Sequence, residues 1–239
     1  MYCILATFLS LVLLCGVCSA GERIELKDPT DKDSYSLGYQ FGEGLKRQGV
    51  DINLDNYTAG LRDALGGKEP LLSQEEIRKT VAELRKKVTA AQQKEFKEKA
   101  EKNLAEGKAF LEKNKEAEGV KALPSGLQYK VLAEGSGKTP KLTDTVTIRY
   151  RGTFINGTEF DSSYQRGQPS TFPVNGVIRG WTEALQLMKE GSKWQLFIPP
   201  ELAYGNRDMG AKIGPNSTLI FEMELISVNA PSKKRPSGK

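Results

Sequence analysis

Histidine is absent from the 239-residue chain, and its three cysteines, Cys3, Cys15 and Cys18, all lie within the first twenty residues. A mature chain beginning near Gly21 would contain neither residue type. That excludes His-dependent triads, cysteine nucleophiles, zinc sites built on His or Cys, and structural disulfides. Carboxylate chemistry and catalysis by a binding site alone survive. A body without cysteine also suits an oxidising compartment, because nothing in it can mispair. An excess of one charge is lacking too. The 35 Lys and Arg are interspersed with 30 Asp and Glu, and the net +5 is too diffuse to argue for nucleic acid. With 27% charged and 38% hydrophobic residues, the body reads as soluble and globular rather than disordered or membrane-embedded, with room for two domains.

Long hydrophobic runs are confined to Ile4–Val17, which is followed by Cys18-Ser19-Ala20. Small residues at Cys18 and Ala20 fit a signal-peptidase site, so residues 1–20 are expected to be a signal peptide. The run is short for a membrane span. No Lys or Arg precedes it, which keeps an uncleaved anchor as the alternative. Val17 is a poor neighbour for a lipidated Cys18.

From Gly21 to about Gly119 the pattern is helical. Asp28-Pro29-Thr30-Asp31 reads as an opening turn and cap, and from Ser34 the residues Tyr35, Phe41 and Leu45 lie along a helix ended by Gly49. Gly38 and Gly42, four apart, fit either close approach of another helix or a short, weak helix. Asn53 can cap a second helix carrying Tyr57, Leu61 and Leu65, stopped by Gly66-Gly67. Ser73-Gln74-Glu75-Glu76 is a capping-box pattern, and Ile77, Val81, Leu84, Val88 and Ala91 then form a narrow apolar seam. A helix from Gln74 to about Lys115 is predicted, roughly 60 Å long at about 1.5 Å per residue. Glu95 with Lys99 and Glu98 with Lys102 have the favourable charge order. The short helices and the seam make too little core for an independent monomer.

From Lys121 the period changes to two. Leu127, Tyr129 and Val131 alternate with polar residues, and Thr145–Phe154 is β-branched and aromatic. Asn156-Gly157 is a hairpin signal, with Thr158–Asp161 as the return strand. Thr171–Val174, Lys193–Ile198 and Thr218–Ser227 read as further strands, and Trp181–Met188 as the one helix, ended by Gly191. The predicted class is therefore α+β: an all-α N-terminal region with a long connecting helix, then an antiparallel sheet wrapped around one short helix. Expected boundaries are 1–20, 21–119, 120–228, and a polar, basic, disordered tail over 229–239.

Four segments of the second half carry the chemistry: Tyr150-Arg151-Gly152-Thr153-Phe154, Asn156–Ser163, Val177-Ile178-Arg179-Gly180-Trp181, and Pro199-Pro200-Glu201-Leu202-Ala203-Tyr204-Gly205. Aromatic and aliphatic residues recur there beside turn glycines, with one conspicuous acid, Asp161, as the lining of a concave apolar pocket would require. In order and spacing these segments resemble the FKBP family of peptidyl-prolyl cis-trans isomerases, which implies an FKBP-like antiparallel β half-barrel around the short helix. The helical half resembles that of the Mip-like branch, secreted bacterial isomerases whose helices form a dimer.

The resemblance implies a ligand site at Tyr150, Phe160, Asp161, Val177, Ile178, Trp181, Tyr204, Ile213 and Phe221, with Asp161, Tyr204 and Tyr150 as the catalytic group. Plain packing is the competing reading for Val177, Trp181 and Phe221, and turn capping for Asp161. The resemblance implies no cofactor and no metal. Its implied partners are proline-containing unfolded or partly folded polypeptides, macrolide inhibitors of the tacrolimus and rapamycin type, and a second copy bound through the N-terminal helices; nucleic acid is not among them. Its implied location is beyond the inner membrane, in the periplasm or at the outer membrane and cell surface. Ser170, where the family often has an aromatic residue, and Lys212, where an apolar one is usual, depart from the pattern and bear on substrate preference. Two rivals remain in view. One is a dimeric proline-binding holdase with little isomerase activity. The other, a carboxylate hydrolase, needs a second converging acid, and Glu159 is expected, on strand alternation, to face away from Asp161.

Overall fold

The computed structural model describes residues 24–210 and 212–230. The expected signal peptide, with all three cysteines, and the tail beyond Ala230 lie outside the described residues. The chain divides into two compact units, ending at Ile77 and beginning at Arg78.

The first unit holds helix α1 (Pro29–Arg47) and helix α2 (Leu54–Leu65). Asp28 is itself the N-cap of α1: its carboxylate accepts from the Asp31 N–H at 2.9 Å, and Asp31 returns the favour to the Asp28 N–H. Pro29 sits at N1, where its missing N–H costs nothing. The helix thus starts five residues before Ser34. Asn53 caps α2 through the Asn56 N–H at 3.0 Å, and Gly66 closes it. Neither helix buries a single residue. A Cβ on Gly38 or Gly42 would meet no atom within 4 Å, so the chain itself supplies no close neighbour there.

Helix α3 (Gln74–Asn114) begins at a reciprocal capping box between Ser73 and Glu76. Its charged pairs are Lys94–Glu98, Lys97–Glu101 and Lys102–Glu106 at 3.9–4.0 Å. The expected Glu95–Lys99 and Glu98–Lys102 pairs do not form among the described residues. The Lys99 stem instead lies against Gly214.

The second unit is built on a seven-stranded antiparallel sheet in the order β1-β2-β6-β7-β3-β4, with β5 also paired to β3. Its strands are β1 (Val120–Ala122), β2 (Gln128–Ala133), β3 (Thr145–Phe154), β4 (Glu159–Ser162), β5 (Ser170–Pro173), β6 (Lys193–Ile198) and β7 (Leu219–Asn229). The short β1 went unread in the sequence because three residues give no measurable period. Alternation then does what it should: Val146, Ile148 and Tyr150 of β3, and Leu219, Phe221, Met223 and Leu225 of β7, are buried on one face. Against that face lies helix α4 (Arg179–Leu185), which buries Gly180, Trp181, Ala184 and Leu185. A Cβ on Gly180 would stand 2.6 Å from Ile198 Cγ2, so glycine is what lets the helix sit this close to the sheet. Fully buried side chains such as Leu185, Met188, Leu196 and Met223 make one continuous core.

Candidate active site

The concave face of the sheet and the start of α4 enclose an open cavity of about 840 Å³. Trp181, on the first turn of α4 and 5% exposed, is its base. Around it the rings of Tyr150 and Phe221 meet Trp181 nearly edge-on, with centroids 5.0 and 4.9 Å away. Phe160 stands perpendicular to Phe221 at 5.5 Å. Edge-to-face contacts of this kind lock ring orientation beyond what area burial alone would give. Gly152 makes the cluster fit: a Cβ there would stand 2.7 Å from Phe160 and 2.8 Å from Phe221.

Two consecutive residues of β4, Phe160 and Asp161, line this cavity. A regular strand cannot do this, because neighbours point to opposite faces. The β3–β4 register shifts between Gly152↔Asp161 and Thr153↔Glu159, so that Phe160 is the extra residue of a bulge. The same shift separates the two acids. In an unbroken strand Glu159 and Asp161 would share a face. Here Asp161 joins Tyr150, while Glu159 accepts from Arg151 Nε at 2.6 Å and from Gln165 Nε2 at 2.7 Å. Glu159 does face away from Asp161, and the bulge is the reason.

Asp161 belongs to a closed ring of short hydrogen bonds. The Tyr150 hydroxyl donates to its Oδ2 at 2.6 Å. Arg166 donates to its Oδ1 at 2.6 Å and to the Tyr150 hydroxyl oxygen at 2.7 Å. The guanidinium carbon also lies 5.4 Å from the Tyr150 ring centroid. Partial burial would raise the Asp161 carboxyl, but the bonds from Tyr150 and Arg166 together outweigh it and hold the group below the ordinary carboxylate range. Burial pushes the Tyr150 hydroxyl upward, helped by Asp161 and opposed in part by Arg166. Arg166 was not foreseen. It lies in a turn five residues after Asp161, where no period or motif marks it.

The remaining walls come from loops. Val177 and Ile178 precede α4, and Ile178 is its N-cap. Among the described residues no acceptor in the chain meets the Ile178 N–H. Tyr204 follows a tight turn over Pro200–Leu202, closed by the Gly205 N–H donating to Pro200 O at 2.8 Å. Ile213, 8% exposed, completes that side. All nine residues expected at a ligand site thus line one cavity. It also takes in Lys212, expected to bear on substrate preference, and Phe172, Arg207 and Met209, which the sequence reading did not place there.

Comparison with known proteins agrees with this arrangement. Residues 136–226 match the family of FKBP-type peptidyl-prolyl cis-trans isomerases, and residues 30–131 match the domain amino-terminal to such isomerases. The outer membrane protein MIP of Legionella longbeachae is 48% identical over 88% of this chain and 90% of its own length. The chain belongs to the FKBP-type peptidyl-prolyl cis-trans isomerase family. The peptidyl-prolyl cis-trans isomerase Mip of Coxiella burnetii is 45% identical over 92% of this chain and 96% of that protein. Among solved structures, FkpA from Escherichia coli matches with a TM-score of 0.66 and 41% identity, over 87% of this chain and all of that one. The expected architecture, helical region first and antiparallel half-barrel second, is the one found.

Proposed function

We propose that this FKBP-type isomerase turns X–Pro bonds by holding the proline ring against Trp181, between Val177 and Phe221, and favouring the twisted amide. The barrier to rotation, about 18–20 kcal/mol, comes from resonance across the C–N bond. Twisting removes that resonance and leaves a more ketone-like carbonyl with less need of water. An apolar cavity therefore prefers the twisted form to the planar, well-hydrated one. Each ~1.4 kcal/mol of such preference is worth tenfold in rate. The observation that carries this reading is a cavity floored by an edge-to-face aromatic cluster around Trp181.

The Tyr204 hydroxyl would hold a substrate carbonyl, with the Ile178 N–H as the second anchor. Asp161 would act mainly by fixing Tyr150. Its charge is already matched by Arg166 at 2.6 Å, which weakens any field it could impose on the substrate. Macrolides of the tacrolimus and rapamycin type would compete for the same floor, with Lys212 and Ser170 setting how tightly.

The chain would work as a homodimer. Tyr35, Phe41, Leu54, Leu61 and Leu65 of α1 and α2 are all at least half exposed, and apolar surface of that extent in a soluble protein calls for a partner. Export across the inner membrane to the periplasm or cell surface is supported by the relative's name, outer membrane protein MIP, and by the leading apolar run. Among the described residues no helix is long and apolar enough to cross a membrane.

Refolding of a proline-limited substrate protein tests the site. The chain should accelerate the slow phase, and Tyr204→Phe and Asp161→Leu should each lower that acceleration about tenfold, the loss of roughly 1.4 kcal/mol of transition-state binding, with the fold intact. Suppressed aggregation without acceleration would instead identify the holdase.

A further inference from the structure

The wall of the cavity that carries Tyr204 and Ile213 is not held by the half-barrel alone. It is a long excursion from Ala203 to Thr218, and its return limb is pinned to α3. Asn103 Nδ2 donates to Pro215 O at 2.7 Å and approaches Ser217 Oγ at 3.5 Å. The Asn216 Nδ2 donates to Ala100 O at 3.4 Å. Ala100 and Gly107, the two buried residues of α3, are the places where the excursion presses on it. A Cβ on Gly107 would collide with Thr218 Oγ1, and one on Gly214 would stand 2.5 Å from Lys99 Cε. Pro215 is fully buried in this seam.

The other side of the same limb faces the catalytic loop. The Asn216 N–H donates to Gly205 O at 2.8 Å, one residue beyond Tyr204. To do so Asn216 takes φ 53°, in the left-handed region; it is the only non-glycine residue with positive φ among the described residues. Asparagine is among the few side chains that tolerate this conformation. One residue therefore touches α3 through its side chain and the Tyr204 turn through its backbone, from a conformation held against its intrinsic preference.

We infer that Asn103 and Asn216 are positioning residues of the isomerase, through which α3 sets the placement of the Tyr204–Ile213 wall over the cavity. The helix is then a working part of the catalytic unit. This rests on the isomerase reading above, and the experiment separates the two.

The full chain is assayed on a proline-containing tetrapeptide, alongside Asn103→Asp, Asn216→Ala and Asn216→Gly. Asn103→Asp keeps the size but replaces the donor facing Pro215 O with an acceptor. Both Asn216→Ala and Asn216→Gly remove the Nδ2 donor to Ala100 O and keep the N–H to Gly205 O; Ala adds left-handed strain and Gly does not. A displaced wall should lower kcat/KM about fivefold in Asn103→Asp and Asn216→Ala, more through kcat than KM, since small displacements of positioning groups weaken transition-state contacts first. Asn216→Gly, which gives up the tie to α3 without added strain, should still lose about threefold. Amide exchange over Gly205–Met209 should quicken in all three variants. Should Asn103→Asp fail to fold, Asn216→Gly decides alone, because it removes a tie to α3 without adding strain. Folded variants with lower thermal stability but kcat/KM within about twofold of the unaltered chain would overturn the inference, because a merely structural tie moves only stability. An unaltered chain without activity on the peptide would instead fail the isomerase reading itself.

Discussion

The two units solve the problem of burying apolar surface in different ways. The second encloses Leu185, Met188, Leu196 and Met223 completely, and its strands alternate so regularly that one face is nearly all core. The first has well-capped helices and no buried residue in either α1 or α2, with Phe41 64% and Leu65 82% exposed. Caps and propensities can fix where a helix begins and ends, but short helices owe their stability to packing. The half-barrel carries its packing within the chain. The helices leave theirs exposed, which is the surface a second copy is proposed to cover.

The sharpest test of that contrast sets one core substitution against one surface pair. Leu185→Ala should cost about 2–5 kcal/mol in chemical denaturation, whatever the protein concentration. Phe41→Asp with Leu61→Asp should halve the mass found by light scattering and make the helical unit's melting insensitive to concentration, while tetrapeptide turnover stays as it was. A dimer surviving both aspartates would place the interface elsewhere.

A smaller effect is expected inside the cavity. Gly152→Ala drives a methyl into Phe160 and Phe221, an overpacking cost of about 1–3 kcal/mol. Because both rings line the site, turnover should fall with stability, unlike at Leu185, where turnover of the folded fraction should hold. Equal turnover in Gly152→Ala and the unaltered chain would mean that the rings can move without consequence for catalysis.

The smallest effect is an absence of one. The carboxyl of Asp161 is lowered in the fold, so its contribution is complete above the ordinary value near 3.9 and is lost as pH falls through the lower folded value. Tyr150 is raised, so its contribution is complete below about 10 and is lost as pH rises through the raised value. With no histidine to titrate between them, kcat/KM should be flat from about pH 5 to 9. A midpoint near neutrality would show that a group outside this ring controls the site.

Much of this was legible beforehand, and the reasons are local. Asn53, Ser73 and Gly66 mark helix ends because capping is a matter of neighbouring backbone groups. Strand β3 runs from Thr145 to Phe154 as its β-branched and aromatic residues suggest. The start of α1 was placed late, since an Asp beside a Pro reads equally as a turn and as a cap. On α3 the Lys99 stem lies against Gly214 and not beside Glu95, while Glu98 and Lys102 pair with Lys94 and Glu106 and not with each other.

What the residue order determined by itself is whatever depends on nearest neighbours and on period: the helices and their caps and the alternating strands, while the nine cavity residues followed from the resemblance of four segments to a known family. Tertiary structure alone decided the rest. It put Phe160 and Asp161 on one face through a bulge that only the pairing with β3 can create. It brought Arg166 onto Asp161, and it set Asn103 and Asn216 between α3 and the Tyr204 loop across more than a hundred residues of chain. Register and long-range contact are properties of two segments at once, and no one segment's sequence contains them.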